Sequence, residues 1–136
     1  MPDTLTPFLA LAGGGLVFAT AAILMILVRP GAPGNAVLAG GLSAGFAAFT
    51  LVTIATEGFF PVILNHTTNL WGVQVWWDLL FSLTVAYFLI LPRAKAAGMN
   101  LPLWTVLILA SASIALLAMC ARLFWLEQTD GKPVRA

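Results

Sequence analysis

The sequence predicts an all-α integral membrane protein, a four-helix transmembrane bundle. Three observations carry this. Of 136 residues, 61% are hydrophobic and only 8% charged, against roughly 25% charge in a soluble domain. The apolar residues gather in runs over 8–28, 36–56, 70–91 and 103–125. As a helix, each run of about 20 residues crosses ~30 Å of hydrocarbon. No run alternates in polarity, as the ~10-residue strands of a barrel would. No run keeps the polar face of a water-soluble bundle.

Each element has a local reason. The first run ends at Arg29, where Pro30, Gly31, Pro33 and Gly34 break the chain. The second is stopped by Glu57, Gly58 and Pro61, and the third by Pro92. Pro102 suits the first turn of the fourth, where a missing N–H is no loss. The connection over 57–69, EGFFPVILNHTTN, has an apolar centre at 59–64 that is too short to span, and it reads as an interfacial or re-entrant piece. The tail over 127–136 is polar and reads as mobile. The N-terminus, MPDTLTPF, lacks the basic n-region of a secretory signal, so the first helix is expected to be retained.

Composition excludes several classes. The chain is one membrane unit with no room for a soluble catalytic domain. Net charge is +1 with no basic patch, so no nucleic-acid partner is expected. The single cysteine, Cys120, lies in an apolar run and reads as a small hydrophobe. No three metal ligands share a credible spacing, and no phosphate-binding glycine loop follows a strand. His66, the one histidine, is weak ground for haem or chlorophyll ligation. No metal or cofactor is expected. The glycosylation pattern at Asn65, His66 and Thr67 is short enough to arise by chance.

In lipid, helices associate through close packing and polar contacts. Gly41 and Gly45 recur at four-residue spacing in the second run, and Gly14 and Gly15 lie in the first. These small faces are expected to pack the first two helices together; the alternative is homodimerisation through Gly41 and Gly45. Trp71, Trp76, Trp77, Trp104 and Trp125 fall near helix ends, as an aromatic belt does. A ligand cage is the alternative reading of the same residues.

Ionisable groups inside spans are costly and draw functional hypotheses. Asp78 and Arg122 qualify. With antiparallel third and fourth helices they fall at similar depth. Gln74, Asp78 and Ser82 share one face at four-residue spacing, opposite a stripe of Ser111, Ala115, Ala118 and Arg122. An Asp78–Arg122 ion pair is therefore expected. Glu57 and His66 belong to the same end and extend the polar cluster. A proton or ion path would use such parts. The plainer reading is a structural staple, with Arg122 snorkelling to the interface. Arg29, Arg93 and Lys95 favour placing the two short connections in the cytoplasm, with both termini outside, against Lys132 and Arg135 in the tail.

The C-terminal half reads WWDLLFSLTVAYFLILPRAKAAGMNLPLW, then a span ending in CARLFWLEQ. It resembles a family of small bacterial multi-span integral membrane proteins carried as a domain of unknown function. Asp78 and Leu79, the turn over 93–99 and the span end over 122–127 carry the resemblance. The turn here is preceded by Pro92 and lacks a compact double-basic run, and the N-terminal half has no counterpart. The resemblance implies a bacterial inner-membrane location and no assigned activity. It draws attention to Asp78, Arg93, Gly98 and Arg122.

The expected function is that of a non-enzymatic binding or accessory subunit, partnered by the lipid bilayer and by another membrane protein or a second copy. The alternative is a small oligomeric transporter or proton-coupled carrier centred on Asp78 and Arg122. A membrane enzyme acting on a lipid or quinone through Glu57, His66 and Asp78 has the least support.

Overall fold

A computed structural model describes residues 6–129, and every regular element within them is a helix. The helices are α1 (Thr6–Val28), α2 (Ala36–Glu57), α3 (Pro61–Thr67), α4 (Leu70–Ala96), α5 (Leu101–Ser111) and α6 (Ser113–Thr129). Their contacts divide the chain after Pro33 into two units. Pro7–Val28, Ala36–Glu57 and Leu70–Ala96 are long and apolar enough to cross a membrane.

The first unit is α1 and the turn that follows it. The helix is apolar on all sides and about 34 Å long. Within it Thr20 Oγ1 donates to the Leu16 carbonyl at 2.8 Å. Gly14 and Gly15 lie mid-helix. The turn passes through Gly31, whose φ of 84° suits a residue without a Cβ.

In the second unit, asparagines start three of the helices. Asn35 accepts from the Leu38 N–H at 3.0 Å, Asn69 from Gly72 at 2.8 Å and Asn100 from Leu103 at 3.2 Å. Each satisfies a backbone donor that has no partner within its helix.

The third long helix does not stop at Pro92. It runs on to Ala96, because proline removes one intrahelical bond without removing those of its neighbours. It ends instead on Gly98, at φ 71°. Met99 N–H reaches Ala94 O at 3.0 Å and Gly98 N–H reaches Lys95 O at 3.1 Å, the paired closure of a Schellman turn.

The stretch expected to form one fourth span is two helices. Ala112 adopts φ 48° and ψ −116° between α5 and α6. The chain reverses there, as its contacts with α2 and α4 establish. Tyr87 meets Thr105, so α5 runs back along α4. Arg93, near the end of α4, meets Glu127, near the end of α6. Ser43 of α2 donates to the Ile114 carbonyl at 2.8 Å, while Gly34 meets Phe124 and Gln128. Thus α6 runs antiparallel to α2 and in the direction of α4. Helices α5 and α6 form a hairpin, about 16 Å and 25 Å long.

The core lies where this hairpin meets α4 and α2. Ile90, Ala94, Ile108, Ala115, Met119 and Leu123 form one buried cluster, with Ala94, Met119 and Leu123 fully enclosed. Small residues allow the approach of α2: Ala39 and Ser43 are buried, and a Cβ on Gly40 would stand 3.7 Å from Ala121.

The hairpin also changes the expected topology. The end of α6 lies at the Arg93 end of α4, where α2 begins and α5 begins. It is not at the opposite end with the connection over 57–69. The polar tail beyond Thr129 lies outside the described residues.

Candidate functional site

The ion pair among the described residues is Arg93–Glu127, not Asp78–Arg122. Asp78 lies 15 residues before Arg93 on α4, about 22 Å along the axis. Arg122 has been carried to the Arg93 end by the hairpin. The expected pairing assumed a straight fourth helix, and the reversal at Ala112 removes that premise. The Arg93 guanidinium instead grips Glu127 through two bonds, Nε–Oε1 at 2.9 Å and Nη2–Oε2 at 2.7 Å. It also covers the Phe124 ring, 5.6 Å from its centroid. Glu127 belongs to the stretch that carried the family resemblance, yet spacing alone gave no reason to pair it with Arg93.

Gln74, Asp78 and Ser82 do share one face of α4, and all three are exposed. Within the second unit no cation meets Asp78. Arg122 is likewise exposed.

Glu57 and His66 are brought together. They share a groove of about 330 Å³ between the last turns of α2 and the short helix α3. Phe46, Phe49 and Ile54 form its apolar wall, and Glu57, Asn65 and His66 supply polar groups. His66 is half-buried, with its ring 5.4 Å from that of Trp76. Its Nδ1 stands 2.5 Å from the Val62 carbonyl. A carbonyl only accepts, so Nδ1 carries the hydrogen and Nε2 is the remaining acceptor. Asp78, Gln74, Ser82 and Arg122 do not line this groove, and Arg122 lies at the other end of α4, so the polar cluster divides in three.

The groove depends on α3 lying close over the start of α4. Gly72 makes this possible, because a Cβ there would strike the Asn65 backbone carbonyl. The apolar segment over 59–64 thus leads into a two-turn helix, Pro61–Thr67, docked on α4.

Gly41 and Gly45 face away from α6; a Cβ on either would meet nothing within 4 Å. The tight contact of α2 uses Gly34, Ala39, Gly40 and Ser43 instead. Among the described residues, no three His, Cys, Asp or Glu side chains are grouped to hold a metal ion.

No family model, curated protein or solved structure matches the chain.

Proposed function

We propose that this chain is a small integral membrane subunit that works by binding another membrane protein or a second copy of itself. The observation that carries this reading is Asp78, which the second unit leaves exposed on a helix with the length and apolarity of a span. Counting back about 20 residues from Pro92 reaches Gly72, which leaves Asp78 inside the hydrocarbon. A carboxylate there is not stable against lipid. Helix α1 contains no Lys or Arg to pair with it. A covering helix from outside the chain would satisfy the Gln74–Asp78–Ser82 stripe.

In this arrangement α1, α2 and α4 cross the bilayer, and the α5–α6 hairpin enters and returns. This replaces a bundle of four full spans. All six basic residues then favour one side. Arg93, Lys95 and Arg122 lie toward that end, Arg29 precedes α2, and Lys132 and Arg135 follow α6 in sequence. The positive-inside rule assigns that side to the cytoplasm. The ends of α4 and α6 then face inward. Helical spans, unlike barrels, suit a bacterial inner membrane.

The test is affinity purification in mild detergent with mass determination of the intact particle. A stoichiometric partner or a defined self-oligomer, lost on Asp78→Leu, supports the reading. A monodisperse monomer with no partner contradicts it. Proton or ion flux in proteoliposomes, abolished by Asp78→Asn, would favour a carrier instead.

A further inference from the structure

Beyond a role for Asp78, we propose that the groove between α2 and α3 binds a monovalent organic cation with an apolar body. Three features converge on this chemistry. First, Glu57 is the groove's one ionisable carboxylate, and no Lys or Arg lines it. The described basic side chains of the second unit, Arg93, Lys95 and Arg122, belong to the opposite end of the fold.

Second, Glu57 is the last residue of α2. A carboxylate there adds to the negative end of the helix dipole, a position that favours a cation. His66 gives its Nδ1–H to the Val62 carbonyl, so in the neutral ring Nε2 adds an acceptor. An anionic ligand would meet like charge and no compensating donor of full charge.

Third, the wall is aromatic and aliphatic. Phe46 and Phe49 pack with ring centroids 6.4 Å apart, and Ile54 and Val62 complete the apolar lining. Aromatic faces attract organic cations whose charge is spread over apolar groups. The site lies at the end of a membrane-length helix, so an amphiphile would present its head to Glu57 and its body to the phenylalanines. A volume of about 330 Å³ suits a head group and the first part of a chain.

Two sources share a cationic group on an apolar body: the ammonium of a zwitterionic amine-headed membrane lipid, whose phosphate would lie away from Glu57, and a free lipophilic cation. The probe is tetraphenylphosphonium, with tetraphenylborate as its anionic counterpart of the same shape. Binding to the purified full chain in neutral detergent is followed by calorimetry and by Trp fluorescence, since the Trp76 ring lies 5.4 Å from that of His66, which lines the groove. Empty micelles provide the blank.

The expected result is saturable binding of the cation and none of the anion. Glu57→Gln and Phe49→Ala each weaken it by about tenfold or more, the loss expected for one charge partner or one aromatic face. Asp78→Asn leaves it unchanged, which separates this site from the subunit reading. Competition by added phosphatidylethanolamine assigns the site to a lipid head, and lack of competition assigns it to a free cation. Equal affinity for the anion would overturn the proposal, as would undiminished binding by a folded Glu57→Gln protein.

Discussion

Arg93 and Glu127 stand 34 positions apart in sequence and join the ends of two helices that run in the same direction. The pair fixes the return of the α5–α6 hairpin beside α4. Its position explains why Asp78 and Arg122 do not meet.

The first prediction concerns that pair. Its carboxylate is only partly exposed, and the contact is two-pronged. Charged hydrogen bonds of this kind contribute about 1–3 kcal/mol. Arg93→Met and Glu127→Gln should each lower thermal stability in detergent. The double variant should recover part of the loss. A cycle on Asp78 and Arg122 in the isolated chain should show no coupling. Coupling between Asp78 and Arg122, with none between Arg93 and Glu127, would refute the assignment.

The turn at Ala112 makes a second prediction. Its φ of 48° is a conformation that L side chains rarely adopt. Ala112→Gly should stabilise the chain by about 1 kcal/mol, whereas Ala112→Val should destabilise it by more. In a straight helix the glycine variant would instead be the less stable. Thermal melts of the two variants distinguish these cases by sign.

Glycine substitutions map the packing. Gly72→Ala drives a Cβ into the Asn65 carbonyl, and Gly34→Ala drives one into the Phe124 ring. Each should cost about 1–3 kcal/mol through overpacking. The backbone contact at Gly72 is the harder to relieve. Gly41→Ala and Gly45→Ala meet open space and should leave the isolated chain's stability unchanged. If those two positions proved the sensitive ones in a purified monomer, the packing face of α2 would be misassigned.

Ser43 tests the approach of α2. It is buried and donates to the Ile114 carbonyl in the first turn of α6. Ser43→Ala should cost about 0.5–1.5 kcal/mol. Ser43→Leu should cost considerably more, because the helices are held close there. Denaturation midpoints compared with wild type provide the measurement.

The starts and apolar lengths of α1, α2 and α4 are legible in the sequence, because breaker clusters and membrane-length runs bound them. Asn35, Asn69 and Asn100 mark three starts more sharply than the apolar profile does. That Glu57 and His66 fall at the same end of the second unit is also readable, since one short connection carries both. Pro92 misled because its lost bond is tolerated within α4, while the actual stop lies in Gly98 and the closure onto Ala94. The break at Ala112 is nearly silent. Around it only Ser111 and Ser113 interrupt the apolar run, and a serine that bonds back to its helix, as Ser111 does to Leu107, signals a bend only weakly. That one residue decides which end of α4 receives Arg122 and Glu127, so the partner of Arg93 is not readable from spacing alone.

The most direct test of the account is which side of the membrane the end of α6 occupies. In a Cys120→Ala background, single cysteines at Ala96→Cys, Thr129→Cys and Phe60→Cys are labelled in intact cells with a membrane-impermeant maleimide. Residues 96 and 129 should behave alike, both protected until the cells are opened, and residue 60 should label from outside. Labelling of residue 129 together with residue 60, and not with residue 96, would contradict the hairpin and restore a single continuous fourth span.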